Sequence, residues 1–261
     1  MDSGARRDSR PTLRVIPRLH IVTDDQILAD PDFETRAREV CEVLETRGPT
    51  DRGGVGGAVE VAVALHLRGP RTTGRKLTHL ARVLNRHASA SGVTLLVNDR
   101  LDIALAVGVA GVHLGSRSVP PTEARRLLRA NRLSGAGRLM GVSVHTENEA
   151  VEAAESGADY LFLGPLFETP SHPGVVASRP QFMDRVASRV DLPVVGIGGV
   201  TPERTAEVIA CGAYGVAAIG GIWDAPSPAD AVQAYLDAVE RAMPETSDRR
   251  KTGDRGKTVG P

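Results

Sequence analysis

PVVGIGGVTPERTAEVIACGAYGVAAIGG, residues 193–221, contains one complete structural unit and the start of the next. The apolar run PVVGIG (193–198) ends on glycine. Thr201-Pro202-Glu203 follows, with proline where a helix begins. The amphipathic stretch 202–211 then closes on Gly212, a residue suited to a helix C-cap. YGVAAIG (214–220) is a second apolar run that again ends on paired glycines. Apolar runs without polar alternation suit parallel strands buried on both faces. Strand, helix and strand in succession imply parallel pairing through a right-handed crossover.

The same alternation extends back to residue 19. Further apolar runs are LHIVT (19–23), VEVAVALHL (59–67), VTLLV (93–97), GVHLG (111–115), LMGVSV (139–144) and YLFLG (160–164), so the chain has eight candidate strands. Helices are expected at 33–47, 74–90, 100–107, 121–131, 146–156, 180–189, 202–211 and 227–242. Eight such units suggest closure into a barrel. The alternative, an open doubly wound sheet, lacks its usual signal: LHIVTDD stands at the first strand where G-x-G-x-x-G would be expected. The expected fold is α/β, a single (β/α)8 TIM barrel over residues 18–243. Disordered tails are expected at 1–17 and 244–261, which are rich in Arg, Ser, Pro and charge. The glycine-rich stretch 48–57 reads as a flexible loop.

Composition supports a large aliphatic core: 41% of residues are hydrophobic and only 3% aromatic, so Ala, Val, Leu and Ile must fill it. Lys+Arg and Asp+Glu are equal at 32 each, which gives no reason to expect nucleic acid or an anionic membrane as partner. Cys41 and Cys211 have neither zinc spacing nor a C-x-x-C pattern and read as reduced thiols. No stretch approaches the ~18 apolar residues of a membrane span. The first 17 residues carry no apolar signal core, so a cytoplasmic location is expected. The sequence allows a homo-oligomer without specifying one.

In a parallel barrel the strand C-termini form the active-site face. Polar residues gather at those ends: Asp24 and Asp25; His66 and Arg68; Asn98, Asp99 and Arg100; His113, Ser116, Arg117 and Ser118; Ser143 and His145; Thr169, Ser171 and His172. Gly198, Gly199, Gly220 and Gly221 end the last two strands, where close backbone approach and helix N-termini suit a phosphate. His145 is the candidate for acid–base work, because imidazole titrates near neutrality. Arg68 ends a very apolar strand and needs an anionic partner, either a substrate phosphate or Asp99.

Several motifs together resemble the thiamine phosphate synthase/TenI family. They are LHIVTDD, HLR (66–68), LLVNDRLDIALAVGVAGVHLG (95–115), GVSVHTENEA (141–150), GADYLFLGPLFET (157–169), VVGIGGVTPE (194–203) and GVAAIGGI (215–222). The resemblance runs from about Leu19 to Glu240. It implies two candidate activities. The synthase joins hydroxymethylpyrimidine diphosphate to thiazole phosphate, releasing pyrophosphate with Mg²⁺. The TenI-type tautomerase aromatises a carboxythiazole phosphate by moving a proton. The resemblance also implies residue roles. Gly199, Ile219 and Gly220 would hold the thiazole phosphate, and Asn98 would lie on the pyrimidine side. Asp99 would ligate Mg²⁺, Arg68 would bind diphosphate, Ser143 would contact substrate, and His145 would be the tautomerase acid–base.

The sequence also departs from the synthase pattern. Q-x-R-E-K is replaced by His66-Leu67-Arg68-Gly69-Pro70, the second metal-binding Asp by Ser118, and the lysine of T-x-T-K by His172. Each lost charge-assisted contact is worth about 1.5–3 kcal/mol. A proton shift on a monophosphate needs only a phosphate anchor and an acid–base group. The expectation is therefore a TenI-like tautomerase acting on a phosphorylated thiazole without a cofactor. The second reading is a Mg²⁺-dependent thiamine phosphate synthase. The third is a non-catalytic regulator that binds a phosphorylated ligand.

Overall fold

Each of the eight apolar runs forms a strand in the computed structural model, which describes residues 15–47, 61–131, 137–169 and 180–243. The strands are β1 (Leu19–Val22), β2 (Val63–Leu67), β3 (Thr94–Asn98), β4 (Gly111–Leu114), β5 (Leu139–Val144), β6 (Tyr160–Leu163), β7 (Val194–Ile197) and β8 (Gly215–Ala218). Each pairs in parallel with the next, and β8 returns to β1, closing the barrel. The expected helices are α2 (Phe33–Thr46), α3 (Gly74–Ala90), α4 (Leu101–Val107), α5 (Pro121–Ala130), α6 (Glu147–Glu155), α7 (Gln181–Ala187), α8 (Pro202–Ala210) and α10 (Pro228–Ala242). Two short helices join them, α1 (Asp25–Ala29) and α9 (Gly220–Trp223), each directly after a strand end. The glycine-rich stretch 48–57 and most of both expected tails lie outside the described residues. Pro17 is buried, and its carbonyl accepts from His20 Nε2 at 3.0 Å, so ordered contacts begin before Arg18.

Strand alternation sorts the side chains into two cores. Outward-facing Leu19, Ile21, Leu65, Leu95, Val97, Leu161 and Val216 pack against the helices. Inward-facing Val22, Ala64, Leu96, Leu139, Tyr160, Phe162, Val195 and Ala217 fill the barrel. Small residues offset large ones in that interior. A Cβ at Gly141 would lie 2.2 Å from Tyr160 Cζ and 2.4 Å from His113 Nδ1, so only glycine admits both rings.

The helices begin where their side chains can satisfy first-turn amides. Thr73 Oγ1 accepts from Lys76 N–H, and Ser227 Oγ accepts from Asp230 N–H. At α6, Thr146 Oγ1 accepts from Glu149 N–H while Glu149 Oε2 accepts from His145 N–H at 2.6 Å, a reciprocal cap that fixes the chain leaving β5. Gly157 (φ +84°) and Gly212 (φ +94°) terminate α6 and α8 in the left-handed conformation. No helix among the described residues is long and apolar enough to cross a membrane.

Candidate active site

A cavity of about 610 Å³ opens at the C-terminal ends of β1, β2 and β3 and reaches β8; Arg68, Asn98, Asp99, Arg100, Arg117 and Ile219 line it. Arg68 is half-buried, and its guanidinium has no ion-pair partner among the described residues, Asp99 included. Its backbone is fixed by Thr23: Arg68 N–H donates to Thr23 Oγ1 at 2.9 Å, and Thr23 Oγ1 donates back to Arg68 O. Arg100 is occupied by Asp102, with contacts of 2.6 and 2.9 Å. Arg71 borders the cavity but is drawn to Asp25. Partial burial would raise the Asp25 carboxyl, yet hydrogen bonds from Thr72 and Arg71 outweigh it and hold it below the usual range.

Asp99 has φ +62°, which is unusual for a residue with a side chain and costs backbone energy that the surrounding contacts must supply. Its Oδ1 accepts from Gly115 N–H at 3.0 Å and from the Ser118 hydroxyl in a short contact. Ser118, standing where the resemblance expects a second metal carboxylate, is thus a donor that orients Asp99. Oδ2 makes no hydrogen bond among the described residues. Those residues contain no group of three His, Cys, Asp or Glu side chains that could hold a metal ion. The donor set therefore suits Mg²⁺ only when substrate oxygens complete the shell.

Below the cavity floor a polar network is set among the apolar residues of the barrel interior. His66 Nδ1 lies 3.0 Å from Asn98 Oδ1, and His66 Nε2 lies 2.9 Å from His20 Nδ1. His113 Nε2 lies 2.9 Å from Ser143 Oγ and its Nδ1 lies 3.1 Å from Tyr160 OH. Burial lowers all three imidazoles. His66 falls to about 4, while His20 and His113 lie well below the usual value, each further depressed by neighbouring histidine. His66 and His113 are thus interior groups and not pocket ligands, because the inward period-2 face carries them inside the barrel. His20 shares that face with Val22, a signal that alternation in LHIVT already carried.

The glycine pairs 198–199 and 220–221 stand just past the ends of β7 and β8. Ile197 pairs with Ala217 at the ends of these neighbouring strands, with Gly198 and Gly199 following β7 and Ile219 and Gly220 following β8. Gly198 (φ +91°) and Gly199 (φ +64°) turn the chain. Their carbonyls are taken by Phe167 N–H (3.0 Å) and Arg204 Nη1 (2.7 Å), and Val200 O is taken by Tyr235 OH (2.8 Å). In a planar trans peptide the N–H points opposite to its C=O. The amides of Gly199, Val200 and Thr201 are therefore aimed away from those partners. Gly220 and Gly221 open α9; Ile222 and Trp223 N–H both donate to Ile219 O, which leaves the Gly220 and Gly221 amides without a backbone acceptor among the described residues.

His145 is exposed and lies outside the cavity lining. Its Nδ1 donates to Gly164 O at 2.8 Å, leaving Nε2 as the available nitrogen. Ser143 sits one layer into the barrel against His113, so Ser143 and His145 have different surroundings. Thr169 is half-buried at the end of a described segment, and Ser171 and His172 lie outside the described residues.

The family model described as thiamine monophosphate synthase matches residues 53–222. A thiamine-phosphate synthase of Roseiflexus castenholzii is 40% identical over 179 residues, covering 67% of this chain and 75% of the relative. The thiamine biosynthesis bifunctional protein ThiM/ThiE of Symbiobacterium thermophilum is 47% identical over 157 residues, covering 60% of this chain but only 32% of that longer relative. Among solved structures, the thiamine phosphate pyrophosphorylase from Pyrococcus furiosus superposes with a TM-score of 0.68 at 26% identity, covering 87% of this chain and 97% of that one. The Roseiflexus relative is named a thiamine-phosphate synthase and none of the three is named a tautomerase, which favours the second of the two catalytic readings over the first. With its barrel, its strand-end motifs and this match in hand, the chain belongs to the thiamine monophosphate synthase family.

Proposed function

We propose that this chain is a thiamine-phosphate synthase, joining hydroxymethylpyrimidine diphosphate to thiazole phosphate and releasing pyrophosphate. The observation that carries the reading is Arg68: a half-buried guanidinium without a partner among the described residues, facing a cavity large enough for a phosphorylated heterocycle. A cation held this way lacks its counter-charge until an anion binds. Arg117 adds a further exposed charge to the same wall.

The proposed reaction breaks the bond between the pyrimidine methylene carbon and the diphosphate oxygen, and the diphosphate leaves with the electron pair. The thiazole nitrogen lone pair forms the new carbon–nitrogen bond. No proton is gained or lost, so the site needs no general base. Its work is to hold both substrates in line and neutralise the leaving group. Arg68 serves the diphosphate, Asn98 the pyrimidine side, and the glycine corner at Gly198, Gly199, Ile219, Gly220 and Gly221 anchors the thiazole phosphate through backbone amides. Ser143, hydrogen-bonded to His113, is the further substrate contact that the reading assigns. Mg²⁺, held by Asp99 Oδ2 together with diphosphate oxygens, would supply further charge neutralisation when bound.

The test is a pair of assays on the purified full chain. One follows thiamine phosphate formed from the two substrates with Mg²⁺; the other follows aromatisation of carboxythiazole phosphate. Product in the first assay is expected. Product only in the second would return the tautomerase, and product in neither would leave the binding-regulator reading.

A further inference from the structure

Three hydrogen-bonding contacts run in series through the barrel axis: Pro17 O to His20 Nε2 (3.0 Å), His20 Nδ1 to His66 Nε2 (2.9 Å), and His66 Nδ1 to the Asn98 side-chain amide (3.0 Å). Each contact needs one proton between its two heavy atoms. Pro17 O can only accept, so His20 must carry its proton on Nε2. A neutral His20 then has a bare Nδ1, and His66 must donate to it from Nε2. That leaves His66 Nδ1 bare, and the third proton has to come from Asn98. Two neutral imidazoles supply two protons for three contacts.

The alternative source is a third ring proton, which would make one histidine an imidazolium. Both rings are fully buried, and neither bonds a carboxylate among the described residues. Their neighbours are aromatic or histidine rings: Tyr160 and Phe162 around His20, and Phe162 and His113 around His66. Burial lowers both pKa values and His66 lowers His20 further, outweighing the raising effect of the Pro17 contact on His20 and of the Asn98 contact on His66. A cation here would be desolvated and unpaired, the costliest arrangement available to it. The oxygen and nitrogen of an asparagine amide are distinguished by their network, and this network demands the NH₂ on the His66 side.

We propose that His20 and His66 are positioning residues that turn the Asn98 NH₂ inward and present the Asn98 carbonyl oxygen to the cavity, so that the cavity floor receives a hydrogen-bond donor. The complementary ligand edge is an N–H, such as an exocyclic amine on a heteroaromatic ring. The carbonyl is anchored through three residues to the main chain at Pro17. An acceptor so fixed costs no rotamer ordering when ligand arrives. This deepens the proposed synthase reading by naming what meets the ring at Asn98, but the proton count does not depend on that reading.

The test is long-range ¹H–¹⁵N correlation on the full-length protein labelled with ¹⁵N at histidine and asparagine, at pH 7 and without substrate. The expected result is two buried rings protonated on Nε2 and bare on Nδ1, with through-hydrogen-bond coupling from His66 Nε2 to His20 Nδ1 and from Asn98 Nδ2 to His66 Nδ1. His66→Gln and Asn98→Asp assign the signals, while the ring tautomers are read from the unaltered chain, so a variant that fails to fold leaves the test intact. A His66 ring protonated on Nδ1, or either ring doubly protonated, would overturn the proposal. Because no turnover is measured, that failure is separate from failure of the synthase assay.

Discussion

Arg68 and Asn98 stand one strand apart at the cavity wall, yet they meet opposite requirements. Asn98 is held by the interior chain of histidines, whereas among the described residues Arg68 is held through its backbone on Thr23. On the proposed reading its charge meets the diphosphate, so removing it should act on binding and reaction more than on folding. Arg68→Gln is expected to lower kcat/KM for the diphosphate substrate by about 10–100-fold, the worth of one charge-assisted hydrogen bond, with little change in melting temperature. A variant with full activity would reassign the diphosphate to Arg71, Arg100 or Arg117. Asp99 leads to a second expectation. With Oδ1 committed to Gly115 and Ser118, one carboxylate oxygen remains for a metal. Titration calorimetry of the free protein should show weak Mg²⁺ binding that tightens when pyrophosphate is added. His145 gives the third. Carbon–nitrogen bond formation moves no proton, so His145→Gln should leave thiamine phosphate formation nearly unchanged. A loss of about 10²–10⁴-fold, typical of a deleted acid–base group, would mean that proton transfer is part of the reaction after all.

At the scale of elements, the turns after β7 and β8 are constrained by packing. A Cβ on Gly199 would meet Glu168 O and Phe167 Cβ, each at 2.7 Å, and its φ of +64° disfavours any side chain. Gly199→Ala should therefore cost about 1–3 kcal/mol of stability before any phosphate is considered. A thermal melt reads this directly. An unchanged melting temperature with a raised KM would show that the position answers only to the phosphate. That these glycines, Arg68, Asn98 and Asp99 stand at strand ends is legible in the sequence, because the end of an apolar run is a local signal. Helices α1 and α9 were not legible, since five and four residues are too short to show a 3.6-residue period. Nor was the Ser118–Asp99 contact, which spans 19 residues and depends on how the loop after β4 folds back. Alternation could have moved His66 and His113 inside the barrel, but strand ends draw attention to polarity and not to facing.

For the molecule as a whole, the buried histidines make stability depend on pH in a window set by their own titration. His66 has a folded pKa of about 4 against 6.5 for the free side chain, so between these values the unfolded chain binds the proton and the folded chain does not. Stability is then complete above about pH 6.5 and falls as pH drops toward 4. At 1.36 kcal/mol per unit, His66 alone accounts for roughly 3 kcal/mol across that window, and His20 and His113 add in the same direction. Carboxylates contribute on the other side of it. Asp25 and Asp102 are held below 3.8, so their stabilising contacts are lost only at still lower pH. The two effects can therefore be separated by experiment. Urea unfolding at pH 7 and at pH 4.5 should show a clear drop in midpoint for the unaltered chain. His66→Gln, neutral at both pH values and able to donate and accept at the same two contacts, should show a smaller drop. If the midpoint of the unaltered chain is the same at both pH values, the histidines are not neutral in the folded barrel. The proton count that orients Asn98 would then have to be redrawn with an imidazolium in the chain.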